Sequence, residues 1–171
     1  MQGIRPKFIY VTPNFHNPAG VTLSLPRREQ LIKVARKYNT IIVEDNAYAR
    51  LSFEEEPLPS LKSMDMENVI YLGSFSKIFS PGVRVGWVVA QRPIREKLIY
   101  AKQAADLCSS SLTQRVVEEY FKSNLLSSHV KKLIGMYKKR RDAMLAALEE
   151  FFPKEVKWTR PKGGFFVWAT L

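Results

Sequence analysis

Lys77 closes the run Gly73-Ser74-Phe75-Ser76-Lys77 at the end of an apolar stretch, and Arg84 follows seven positions later. A primary amine flanked by hydroxyls and followed by a guanidinium suits covalent capture of a phosphorylated aldehyde. The amine would form a Schiff base, while Ser74, Ser76 and Arg84 hold the phosphate, two through hydroxyls and one through a bidentate fork. A single lysine on a loop is ordinarily a surface charge, so two clusters upstream carry the weight. In Pro13-Asn14-Phe15-His16-Asn17-Pro18-Ala19-Gly20, two prolines and a glycine can fix the backbone and present Asn17 as a hydrogen-bond donor. Taken alone, the same run reads more readily as an ordinary asparagine turn. In Glu44-Asp45-Asn46-Ala47-Tyr48, Asp45 ends a strand-like run, and ligands of open α/β sheets collect at the C-terminal ends of strands. A carboxylate there could pair with a protonated ring nitrogen. At about 4 Å and an effective dielectric of about 20 this contributes roughly 4 kcal/mol before desolvation, a few pKa units. The alternative is that Asp45 caps a following helix.

The elements that must position these groups can be read from the pattern. Lys7 to Thr12 is an apolar run ending at Pro13-Asn14 and predicts a strand. Pro26 to Tyr38 carries Leu31, Ile32, Val34, Ala35 and Tyr38 between charges, which predicts a helix with Ser24 as its cap and Pro26 in its first turn. Asn39 ends it. Thr40 to Glu44, Val69 to Gly73 and Val85 to Ala90 complete four strands, whose Val/Ile-rich runs fit an α/β sheet covered on both faces. From Ile94 the spacing turns helical, through Leu98, Ile99, Ala101, Ala105 and Leu107, then again from Ser111 through Phe121. Ser123 to Ser128 reads as a polar break, and a long helix follows from Val130 until Pro153 stops it. Val156 to Trp158 and Phe165 to Thr170 predict two more strands around the turn Pro161-Lys162-Gly163-Gly164.

Bulk properties narrow the function classes. A chain of 171 residues that is 46% hydrophobic and 12% aromatic is a folded globular protein or part of one. The net charge of +11 favours anionic ligands. The densest basic cluster, Lys138-Lys139-Arg140-Arg141, reads as a solvated helix face, without the stacking platform of a nucleic-acid binder. One cysteine, Cys108, excludes an internal disulfide, and two scattered histidines give no metal site. The sequence shows no signal peptide and no apolar run of membrane-crossing length, so the expectation is a soluble protein in a reducing, cytoplasmic setting.

Three strand-end clusters with complementary chemistry seldom coincide, and together they resemble one family. Asn17-Pro18-Ala19-Gly20, Asp45 to Tyr48, Ser74-Phe75-Ser76-Lys77 and Arg84 match the hallmarks of the fold-type I pyridoxal phosphate aminotransferases. The runs Pro57-Leu58-Pro59-Ser60-Leu61, Met64-Asp65 and Pro161 to Trp168 are most similar to the α-aminoadipate/kynurenine aminotransferase branch. The resemblance implies pyridoxal 5′-phosphate as cofactor and an amino acid and a 2-oxo acid as substrates. It gives Lys77 the Schiff base and the proton transfer between substrate α-carbon and cofactor C4′, and gives Asp45 the pyridinium. It gives Asn17 and Tyr48 the phenolic oxygen O3′, and Ser74, Ser76 and Arg84 the phosphate.

The implied fold is α/β. Residues 1–100 would belong to the large cofactor-binding domain, with a mostly parallel sheet and helices on both faces. Residues 101–126 would be connecting helices, and 127–171 would begin a smaller α+β domain. Counterparts of the loop capping the phosphate, of the aromatic stacking on the pyridine and of the arginine clamping the substrate carboxylate are not found. The expectation is therefore a piece of a longer enzyme, a homodimer when complete, and as a piece inactive and prone to aggregate. A cofactor-sensing domain of a DNA-binding transcription regulator is the alternative, since such regulators share the same segments.

Overall fold

Four Val/Ile-rich runs of four to six residues form one sheet in a computed structural model that describes residues 6–54 and 56–171. Strands β1 (Phe8–Val11), β2 (Ile41–Asp45), β3 (Val69–Ser74) and β4 (Gly86–Val89) lie side by side in chain order. The pairs β1–β2 and β2–β3 are parallel, with Tyr10 opposite Val43 and Asp45 opposite Leu72. The last pair, β3–β4, is antiparallel, because the chain returns directly through residues 75–85 without an α-helical crossover.

Helix α1 (Leu25–Lys37) starts at Ser24 with Pro26 in its first turn, as the sequence predicts, although the Ser24 side chain makes no capping bond. Asn39 takes φ 48°, a left-handed conformation that asparagine tolerates, and so turns the chain into β2. A short helix α2 (Leu61–Met64) is capped by Ser60, whose Oγ accepts from Ser63 N at 3.0 Å. Ile32 and Ala35 of α1 and Leu61 of α2 bury Ile42 and Val69 on one face of the sheet. Coverage on both faces of every strand is not what the described residues show. Phe8 and Tyr10 of β1 are more than half exposed, and all of β4 is exposed.

The second half is helical: α3 (Arg92–Asp106), α4 (Ser111–Lys122) and α5 (Leu125–Phe151). The expected break over residues 123–128 shrinks to Ser123 and Asn124, the latter at φ 56°. Ser128 is helical, and its Oγ donates back to the Leu125 carbonyl at 2.9 Å. The helix stops at Phe151, just before Pro153, as the sequence predicts. Val130 and Leu133 of α5 pack on a second buried cluster at the C-terminal ends of the strands. The last predicted strands are cut to β5 (Lys157–Trp158) and β6 (Ala169–Thr170), an antiparallel pair. Phe165 and Phe166 leave the ladder and turn toward Tyr48.

The basic cluster on α5 is not uniformly solvated. The Arg141 side chain is 10% exposed, pairs with Glu54 at 2.7 Å and donates to the Pro161 carbonyl at 2.6 Å. No helix among the described residues is long and apolar enough to cross a membrane.

Candidate active site

Period-two geometry decides which side chains meet at the ends of β1, β2 and β3. Asp45 is the last residue of β2 and projects to the face opposite Glu44 and Asn46. Its Oδ2 accepts from the Tyr10 hydroxyl at 2.5 Å, across the parallel β1–β2 ladder. This carboxylate raises the Tyr10 hydroxyl pKa, chiefly through that bond and then through burial. Tyr10 has no place in the sequence reading. The signal was available in the alternation of β1, which puts Tyr10 on the same side as Val43 and Asp45.

Asn17 follows β1 on an exposed loop and hydrogen-bonds Tyr48 through its side chain. Tyr48 is buried, and burial raises its hydroxyl pKa, with the Asn17 bond opposing and the Asp45 charge adding to the rise. The Lys77 Nζ stands 5.9 Å from the centre of the Tyr48 ring. Thus Asn17, Asp45, Tyr48 and Lys77 converge, although 60 positions separate the first from the last.

Below them lies one shared apolar floor. Phe15, two residues before Asn17, packs with Tyr48, Leu51 and with Ile78, the neighbour of Lys77. Each chemistry-bearing segment therefore contributes a buried anchor to the same cluster, which fixes the segments relative to one another.

The β3–β4 connection holds the rest of the predicted set. The Ser74 Oγ accepts from Ser76 N at 3.1 Å, and Ser80 Oγ accepts from Gly82 N at 3.2 Å. Arg84 sits at φ 53° and donates from Nη1 to the Pro81 carbonyl at 3.2 Å, while Phe75 N reaches Val85 O at 3.1 Å. With Gly86 opposite Ser74, the hairpin-like return carries Arg84 beside the two serines. The loop thus holds two hydroxyls and a guanidinium on one connection, donor groups of the kind a phosphate dianion requires.

On the helix-facing side of the sheet is a buried polar network that the sequence did not announce. Arg28 is fully buried and donates to the carbonyls of Leu23, Pro59 and Pro13 and to Asn14 Oδ1, the last at 2.6 Å. Asn14 in turn donates to Asn46 Oδ1 at 2.7 Å. Asn46 donates to Glu44 Oε1 at 3.3 Å, and Glu44 also accepts from the backbone N–H groups of Leu61 and Lys62. Burial raises the Glu44 pKa, against the pull of those two N–H groups and of Arg28. This network brackets Asp45 on both chain neighbours and locks the strand end from behind.

The family model for aminotransferase class I and II matches residues 1–171. The chain belongs to the class I and II aminotransferases. Among curated relatives it is 50% identical over 171 residues to aromatic-amino-acid aminotransferase 1 of Thermococcus litoralis, covering 99% of this chain and 41% of the relative. It is 44% identical over 171 residues to a 2-aminoadipate transaminase of Thermus thermophilus, covering 98% and 43%. A crystal structure of Pyrococcus horikoshii kynurenine aminotransferase with PMP superposes with a TM-score of 0.94 at 46% identity, over 96% of this chain and 41% of that one. An HTH-type transcriptional regulator of Bacillus subtilis is 42% identical over 164 residues, 95% of this chain and 34% of its own length. The chain spans about two fifths of the length of those aminotransferases.

Pyridoxal phosphate is the cofactor of this family, and the residues present fit it. An amine, a carboxylate, a hydrogen-bonding Asn–Tyr pair and a hydroxyl–guanidinium loop are distributed over the ends of β1, β2 and β3, and their chemistry matches the polar features of the cofactor.

Proposed function

We infer that the chain is part of a pyridoxal phosphate-dependent aminotransferase that moves an amino group between an amino acid and a 2-oxo acid. The convergence of Lys77, Tyr48, Asn17 and Asp45 over one apolar floor carries this reading. When bound, the cofactor supplies an electron sink for the carbanion at the substrate α-carbon. Lys77 would supply the amine that captures the cofactor aldehyde, and its Nζ would carry the proton taken from the substrate α-carbon. Asp45 would hold the ring nitrogen in its protonated form. Asn17 and Tyr48 would orient the phenolic oxygen, and Ser74, Ser76 and Arg84 would hold the phosphate.

Residues 1–100 would contribute to the cofactor-binding domain, 101–126 would connect, and 127–171 would begin the smaller domain of a cytoplasmic homodimer. Aromatic amino acids and 2-aminoadipate are the first donors to assay, given the relatives named above. Borohydride reduction of the full-length protein followed by peptide mapping tests the assignment. The expected result is one modified lysine, Lys77, with Lys77→Ala losing both the visible cofactor band and turnover by on the order of a thousandfold or more. A band and normal turnover in Lys77→Ala would refute it.

A regulatory reading has one observation in its favour, the 42% identity to the HTH-type regulator. In that case the same site would sense the cofactor or its adduct on behalf of a DNA-binding module. Duplex DNA binding by the full-length protein, without turnover of any amino donor, would establish it instead.

A further inference from the structure

The turn from Pro161 to Phe166 is joined to the Tyr48 loop by backbone bonds and ring contacts, and packs without a gap against the loop that carries Asn17. On the Tyr48 side, Gly164 N donates to Leu51 O at 3.0 Å and Phe53 N donates to Lys162 O at 2.8 Å, around an antiparallel bridge between Ser52 and Gly163. Leu51 is itself tied to Tyr48 by a turn, its N–H reaching Tyr48 O at 2.8 Å. The Tyr48 ring is met edge-on by Phe165 and Phe166, with centroids 5.6 and 5.9 Å away. On the Asn17 side, a Cβ built on Gly20 would lie 2.4 Å from the Phe166 carbonyl oxygen. A Cβ on Gly164, at φ +73°, would lie 2.5 Å from Phe15 Cβ, and one on Gly163 would lie 2.4 Å from both Leu51 O and Phe15 Cζ. No side chain larger than hydrogen fits at any of these three joints. Arg141 holds the far end of the turn through the Pro161 carbonyl.

From this we propose that the 161–166 turn is a clamp that sets the spacing between Asn17 and Tyr48, with Gly163, Gly164, Gly20 and Phe166 as positioning residues. The proposal rests on the cofactor reading above and deepens it. Hydrogen bonds donated to the phenolic oxygen draw electron density away and weaken its hold on the Schiff-base proton. A clamp that shifts the donor pair by a few tenths of an ångström therefore changes the pH at which that proton leaves.

The test is the pH titration of the visible cofactor band in the full-length holoprotein, read without substrate. Three variants are compared: Gly164→Ala, Phe166→Leu and, as control, Gly135→Ala, where an added Cβ meets nothing within 4 Å. The titration midpoint should rise by about half a pH unit or more in the first two and stay at the wild-type value in the control. Phe166→Leu adds no atoms to the joint and decides the matter where Gly164→Ala yields no soluble protein. A wild-type midpoint in Phe166→Leu overturns the clamp, even if its thermal stability drops, and so does an equal shift in Gly135→Ala. A wild-type protein lacking any borohydride-sensitive band overturns the cofactor reading, and the clamp with it.

Discussion

Arg28→Met should cost more stability than any surface substitution in the chain. The side chain is 0% exposed, and its guanidinium satisfies three backbone carbonyls and the Asn14 amide oxygen. Methionine keeps an unbranched stem as far as the ε position, so the packing of the stem is retained while four acceptors lose the guanidinium that donates to them. Charge-assisted hydrogen bonds contribute about 1.5–3 kcal/mol each and are not additive. Breaking one side of such a buried arrangement costs about 3–5 kcal/mol, a large share of an ordinary stability of about 5–15 kcal/mol. The loss also depends on pH. Removing the Arg28 charge leaves Glu44, already raised by burial, further above its unfolded value. Between those two values the folded state binds more protons than the unfolded one, so stability falls as pH rises. The deficit should therefore be larger at about pH 8 than at about pH 5. Urea denaturation of the full-length protein, followed by circular dichroism at both pH values, measures it. A loss below about 1 kcal/mol with an unchanged slope would show that the network does not hold the strand ends.

Three further outcomes follow from the geometry. For Asp65, burial alone would raise the carboxyl pKa, but Arg36 at 2.8 Å and the Asn68 side chain and N–H bring it down to about 2. Its stabilisation is complete above the unfolded value of 3.8 and disappears as pH falls through about 2, so the gap in melting temperature between wild type and Asp65→Asn should close over that window. Arg84→Ala should chiefly weaken cofactor retention, by about tenfold or more in a dialysis assay, because the two serines remain; unchanged retention would remove Arg84 from the phosphate loop. Asp45→Ala should slow half-transamination by at least about a hundredfold, since losing roughly 4 kcal/mol of pairing lets the ring nitrogen deprotonate at neutral pH. Stopped-flow bleaching of the visible band measures that rate.

What could be read in advance divides by the range of the interaction. Strand and helix runs, the proline at the start of α1 and the stop at Pro153 are written in adjacent residues, and the structure follows them. The placement of Lys77, Asp45 and Asn17 at one end of the sheet is legible because each lies at or soon after the end of an apolar run. The Asp45–Tyr10 bond spans 35 positions and the Arg141–Glu54 pair spans 87, and nothing local marks either partner. Arg28 is hidden in a helix that reads as amphipathic, because a lone arginine among charged neighbours looks solvated until the helix is docked. Ser127 and Ser128 mislead for the opposite reason: their local preference for turns is overridden once Asn124 alone makes the reversal and α5 packs on the second cluster.

The alternation at the end of β2 has an evolutionary and folding consequence. Glu44 and Asn46 are claimed by Asn14 and by the amides of α2, while Asp45 between them points the other way. Sliding this strand by one residue would bury Asp45 in a cage shaped for its neighbours and hand the ligand side a longer acid at the wrong height. The cage thus acts as a proofreader of alignment, and insertions or deletions between residues 41 and 46 should be rejected at the folding step before catalysis is ever tested.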